Sequence, residues 1–314
     1  MEKLIDLCSY PVKDVLHILL SDKTTKKNII FATDSYKDYG ADCSETSYIT
    51  KEKLLGFDSL AIQPRVTKSL EAQKQRTKVK AEVMTPSWIV CKMNSYCDED
   101  WFGRADVFEI QGDKTWTPTE NKIEFPEGKT WQQYVDSRRL EITCGEAPYI
   151  VSRYDVTTGE IIPIKNRTGI LDRKLRIVNE NAADEIEWKK WAVRAFQSVY
   201  GYEWQGDNLL IARINLLNTY ADYYENRLGK KPDKQELRSI ANIISWNLWQ
   251  MDAFTGTVPL HAIEDNSKTV TDDPEWESIF FNETEEKQPE AEPCRIWDWR
   301  LCNAIDFNSV KRRA

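Results

Sequence analysis

The chain has 314 residues, a net charge of −8, 41% hydrophobic and 30% charged residues, the balance of a soluble globular protein with a sizeable core in one large or two smaller domains. No run of 18 apolar residues occurs, so no membrane helix is expected, and the acidic balance works against a tight nonspecific grip on nucleic acid. Seven scattered cysteines without a C-x-x-C pair, and histidines only at His17 and His261, speak against a disulfide framework, a zinc site and a histidine-based catalytic triad.

Residues 1–75 read as a mixed α+β N-terminal region. The opening "MEKLIDLCSYPVKDVLHILL" carries Asp6, Lys13, Asp14 and His17 within its apolar part, which makes a poor signal peptide, and the expectation is a cytoplasmic protein. Ile29 to Ala32, followed by turn residues, predicts a strand. The stretch "PRVTKSLEAQKQRTKVKAE" sets Arg65, Lys68, Lys74, Arg76, Lys78 and Lys80 against Glu71 and Glu82. It is either a solvated face or a strip that contacts phosphates.

Residues 76–262 form the expected core, in which strand-like and helix-like segments alternate. "RRLEITCGE" is a strand and a turn. "IEWKKWAVRAFQ" places Trp188, Trp191, Ala192 and Ala195 on one helical face. "SVYGYEW" is a short strand. "GDNLLIARINLLNTYADYYENRLG" is a helix with Asp207 able to cap its start, Gly229 able to close it, and Leu210, Ile214, Leu217 and Ala221 on one stripe. "PDKQELRSIANIISWNLW" is a second helix before "WQMDAFTG". Such alternation predicts a parallel sheet covered on both faces. Residues 263–293 read as an acidic linker or mobile loop, and residues 294–314 as a strand-like segment that docks back on the core.

In an open parallel sheet, ligands sit at the carboxyl ends of the strands. Leu140–Gly145 has the form of an apolar strand followed by a glycine that lets backbone approach a ligand. Glu203 ends the next strand, where a carboxylate can accept two hydrogen bonds from a ribose hydroxyl pair. Asp252 follows the strand after that, where it can read an adenine amino group. No G-x-G-x-x-G occurs, which disfavours a dinucleotide oxidoreductase. Trp88, Trp204 and Trp249 read as core or rim aromatics. Cys144 reads as a small packing residue, since no base partners it.

With these residues the chain resembles the S-adenosylmethionine-binding half of the adenine-N6 DNA methyltransferases, of the phage and prophage type labelled restriction endonuclease subunit M. "KAEVMTPSWIVCKM" is similar to the family's segment upstream of the cofactor, "LEITCGEAPY" to its first cofactor loop, "YGYEWQGDNLLIARINLL" to its ribose-binding strand and helix, and "WQMDAF" to its adenine-contacting strand. The resemblance spans about residues 76–256. It implies a Rossmann-like class I methyltransferase sheet, here reading as incomplete. It further implies that Thr85 and Pro86 border the methionine part of S-adenosylmethionine, that Cys144, Gly145 and Glu146 form the loop under it, and that Glu203 holds the ribose and Asp252 the adenine. The family's catalytic motif, an Asn, Asp or Ser followed by Pro-Pro and an aromatic, is absent from the sequence. "EAPY" and "TPSW" echo it only inside the upstream segments, and no catalytic residue is assigned. The resemblance therefore implies an M subunit that binds cofactor and DNA and needs a partner methyltransferase or specificity subunit for the chemistry. The alternative is a phage or prophage binding module that keeps the fold without the activity.

Overall fold

Chain order in the computed structural model, which describes residues 3–56, 60–80, 82–260 and 292–311, begins with α1 (Val12–Leu19), α2 (Lys51–Leu55), α3 (Leu70–Lys80) and α4 (Ser87–Phe102). A short hairpin of β1 (Glu109–Gln111) and β2 (Trp116–Pro118) follows, then α5 (Trp131–Asp136) and β3 (Arg139–Ile142). Next come α6 (Ile170–Asn181), α7 (Glu185–Gln197), β4 (Val199–Glu203), α8 (Gly206–Leu228), α9 (Lys234–Asn247) and β5 (Leu248–Gln250). The last described elements are β6 (Arg295–Asp298), β7 (Asn303–Asp306) and α10 (Phe307–Lys311).

Strands β3, β4 and β5 form a parallel sheet in sequence order, with Glu141 opposite Gly201 and Glu203 opposite Gln250. Each crossover runs through two helices, α6–α7 and then α8–α9. The long stretch between Gly145 and Glu203 thus forms part of the sheet connection. The fold is mixed α/β, as expected, with a small parallel sheet and two short antiparallel hairpins among the described residues.

The two faces of the sheet are covered differently. Val199 and Leu248 point into the large core that α1 and the crossover helices build around Trp188, Leu210 and Ile244. Tyr202 and Trp249 point the other way, into a second cluster with Met251, Cys294, Ile296 and Phe307. Both faces are covered, as expected, this one by the β6–β7 hairpin and α10. The cause is the aromatic tail: Trp249 packs on Phe307 at 5.5 Å between ring centroids, and Trp246 on Trp297 at 5.1 Å. The docking expected of residues 294–314 is therefore seen for residues 294–311. Of the acidic stretch 263–293, residues 263–291 lie outside the described residues.

The predicted helices form over the expected sequences. Helix α9 starts on a capping box in which the Asp233 carboxylate accepts the Gln235 and Glu236 N–H groups, an arrangement that satisfies otherwise orphaned donors. Helix α8 is buried around nearly its whole circumference and closes at Gly229. Gln205 rather than Asp207 takes the N-cap position; Asp207 lies in the first turn, where its carboxylate accepts the Asn208 N–H at 2.9 Å and pairs with Arg76. The strand predicted over Ile29 to Ala32 is reduced to one antiparallel bridge, Ile30 opposite Tyr48. Its backbone is shared out instead: the Ile29 N–H goes to Leu20, Phe31 N–H to Ser47 and Ala32 N–H to Glu45, while Phe31 O accepts from Gly206 N–H and Ile30 bonds the Gln250 amide. Buried backbone must be paired, and here a single bridge and tertiary partners take the place of a full ladder. Among the described residues no helix is long and apolar enough to cross a membrane.

Candidate functional site

The carboxyl ends of β3 and β4 open on a cavity of about 130 Å³. Thr143, Cys144, Gly145 and Tyr149 line it from the loop after β3, Glu203, Gln205 and Asn208 from the end of β4 and the start of α8, and Glu82 to Thr85 from the segment before α4. Four sequence-predicted residues, Thr85, Cys144, Gly145 and Glu203, therefore meet in one place.

The link between loop and strand is a hydrogen bond. Gly145 N–H donates to Glu203 Oε2 at 2.9 Å, and Gln205 N–H to Oε1 at 3.1 Å. A carboxylate has about four acceptor positions, so capacity remains for a ligand. Burial pushes the Glu203 carboxyl up to about 7, against the pull of those two N–H groups. The close approach of the loop depends on Gly201 in β4. A Cβ there would lie 3.0 Å from Cys144 Cβ and 3.2 Å from Cys144 Sγ.

A second acid shares the cavity. Glu141 is buried in β3, accepts a long 3.4 Å bond from Tyr149 N–H at Oε1, and has no hydrogen-bond partner at Oε2 among the described residues. Burial pushes its carboxyl well above the usual range, and the nearby Glu203 adds to the rise. The sequence did contain a signal for it. In "RLEI" the alternation puts Glu141 on the face opposite Leu140 and Ile142, and that face is the buried one, leaving Leu140 and Ile142 43% and 66% exposed. Burial, with Glu141 and Glu203 next in effect, also pushes the Cys144 thiol well up. It stays protonated and packs in the core, as expected for a residue without a base.

Three predicted residues lie elsewhere. Pro86 lines a neighbouring groove with Trp88 and Trp116. The Glu146 side chain turns away from the cavity and accepts from Arg65 N–H at 2.6 Å and from the Tyr154 hydroxyl at 2.7 Å. Asp252 lies beyond the end of β5 and accepts Phe254 N–H at 2.8 Å, closing a turn. The side chain at the end of β5 is Gln250, which bonds Ile30 on both its N–H and its carbonyl, and the Trp204 carbonyl.

Nor does the basic stretch form one outward strip. Lys74 and Lys78 are exposed, but Arg65, Lys68 and Arg76 face inward. Arg76 reaches Asp207 at 2.8 Å, Glu82 at 2.6 Å and Gln205 Oε1 at 2.7 Å, and Lys68 reaches Asp207 at 3.2 Å. Burial raises the Asp207 carboxyl, but Lys68 and Arg76 outweigh it and hold the group well below the usual range.

Of the predicted aromatics, Trp249 is buried, while Trp88 and Trp204 are half-buried. The Trp204 indole N–H donates to Ala32 O at 3.1 Å. A larger cavity, about 700 Å³, lies between β2, α6 and α8. It gathers no strand end of the parallel sheet, and its Arg176 is consumed by Glu180 and the carbonyls of Phe108 and Thr119. The smaller cavity carries the functional reading because a glycine loop, three buried acids (Glu82, Glu141 and Glu203) and two side-chain amides converge on it.

No group of three or more metal-ligating side chains is found among the described residues. No protein-family model, no curated protein and no solved structure matches the chain.

Proposed function

We propose that the cavity at the ends of β3 and β4 is the nucleoside end of an S-adenosylmethionine site, in a Rossmann-like methyltransferase fold reduced to three parallel strands. On this reading the chain is an M-subunit-like relative of the adenine-N6 DNA methyltransferases. The observation that carries the reading is the Gly145 N–H to Glu203 carboxylate bond, which brings a glycine loop and a strand-end acid together where open α/β sheets bind nucleotides. Glu203 accepts from the ribose, Gly145 lets the ligand approach backbone, and Thr85 closes the side toward the methionine.

The residues fit part of the cofactor. Asp252 does not line the cavity, whereas the amides of Gln205 and Asn208 do, and these take over the polar reading of the ligand. A volume of about 130 Å³ falls below the roughly 300 Å³ at which small-molecule sites begin, and full occupancy requires the segment Glu82 to Thr85 to move outward. When bound, the cofactor supplies an activated methyl group. This chain supplies binding and orientation, while a partner subunit supplies the Pro-Pro-aromatic loop and much of the grip on DNA. The missing catalytic motif equally supports a second reading, in which the chain is a phage or prophage binding module without methyl transfer.

Equilibrium dialysis with S-adenosylmethionine and with S-adenosylhomocysteine tests the site. Retention of either ligand by the wild-type chain, reduced in Glu203→Ala, supports it. Equal distribution of both ligands across the membrane contradicts it. Methyl incorporation into DNA on addition of a candidate partner then separates the two readings.

A further inference from the structure

Helix α3 is an unusual covering element. A surface helix ordinarily holds its place through an apolar stripe. Among the described side chains of α3 only Arg76 is buried, and Leu70, the large apolar residue at its start, is 68% exposed. Among the described residues the helix makes no extensive contact with another helix or strand. Its attachment is ionic. The Arg76 guanidinium, its side chain 5% exposed, donates to Asp207 at the start of α8, to Glu82, and to the side-chain oxygens of Gln205 and Asn208. Lys68, just before the helix, reaches the same Asp207, whose side chain is fully buried, and Arg65 pairs with Glu82 at 3.2 Å.

Three of those partners, Glu82, Gln205 and Asn208, are walls of the cavity beneath. The cations of the covering segment are therefore tied to the same groups that enclose the site. A buried ion pair is held by geometry and costs desolvation to form, so a cover fastened this way sits closer to balance between closed and open than one fastened by apolar area.

We propose that residues 65–80, with Glu82 to Thr85, form an ionically latched cover over the cavity at the ends of β3 and β4, with Arg76 as the latch and Asp207 as its catch. Opening the latch frees Gln205, Asn208 and the cavity mouth together, and enlarges a space too small for a whole nucleoside cofactor. The gating role rests on the reading of the cavity as a cofactor site. The latch itself does not.

Amide hydrogen exchange on the full chain, followed by mass spectrometry without any ligand, tests the latch. In Arg76→Met, peptides of α3 should exchange at least about tenfold faster than in wild type, since a charged hydrogen-bond set is lost. Peptides from the middle of α8 should be unchanged, and Leu70→Ala should leave α3 as it is. Unchanged α3 exchange in Arg76→Met, or a rise that α8 follows in step, overturns the proposal. Failure to bind S-adenosylmethionine would remove the cofactor reading without touching this result, because no ligand enters the measurement.

Discussion

The carboxylate of Glu203, at the end of β4, accepts the N–H of Gly145, in the loop after β3, at 2.9 Å. This bond ties the two strand ends into one site, and it is made by an acid that burial has pushed from 4.5 to about 7. In the unfolded chain the group ionises at its ordinary value, so between about 4.5 and 7 the folded state binds more protons than the unfolded state. Its contribution to stability is present below the unfolded value and is lost as pH rises through the folded one. The Gln variant lacks this loss. The stability of Glu203→Gln relative to wild type should therefore rise by about 3 kcal/mol between pH 4.5 and pH 8. Urea denaturation of both proteins across that range measures it, and parallel stability curves would show that Glu203 is not buried as described.

Gly201 lies in β4 beneath the loop that holds Gly145. An alanine at that position places a methyl group 3.0 Å from Cys144 Cβ, and overpacking of this kind costs about 1–3 kcal/mol. Gly201→Ala should lose stability in that range and weaken any ligand bound in the cavity. The double variant Gly201→Ala/Cys144→Gly should recover part of the loss. A single variant as stable as wild type would mean that the loop does not press on β4.

Arg173 of α6 is fully buried and bridges Asp98 of α4, at 2.5 Å, to Glu109 of β1. Removing one member of such a cluster leaves buried charges unpaired, at about 3–5 kcal/mol. Arg173→Met should show that loss in chemical denaturation, and the triple variant with Asp98→Asn and Glu109→Gln should lose less. If the single and triple variants lose equally, the side chain acts through packing alone.

Helices α7, α8 and α9, the three parallel strands and the docking tail were legible because their signals are local: capping residues, apolar stripes, and short β-rich runs between turns. The three-dimensional roles of polar residues were less so. Glu203 and Gly145 could be paired because each sits at the end of a readable strand. Asp252 sits equally close to a strand end, yet its carboxylate closes a turn on Phe254, and no pattern separates those two fates. Arg76 reads as one cation among six, and its burial depends on Asp207, 131 residues away. Ile29 to Ala32 has the composition of a strand, but its partners are α8, Gln250 and the loop before α2, so long-range contacts overrode local propensity.

The sequence has no Pro-Pro-aromatic motif, and methyl transfer draws much of its rate from alignment of the target amino group. The purified chain, mixed with DNA of varied sequence and S-adenosylmethionine carrying a labelled methyl, should transfer no label above the protein-free control. Addition of a partner that carries the motif should start the transfer. Turnover by the chain alone, abolished in Tyr149→Ala or Trp88→Ala, would locate the catalytic groups in the segments that only echo the motif.

Isothermal titration calorimetry with S-adenosylmethionine on wild type, Glu203→Ala and Asp252→Ala tests the central claim most directly. Wild type should show saturable one-to-one binding, Glu203→Ala an affinity at least about tenfold weaker, and Asp252→Ala an unchanged affinity. The absence of saturable heat with the wild-type chain at millimolar ligand, or equal affinity in wild type and Glu203→Ala, would contradict it.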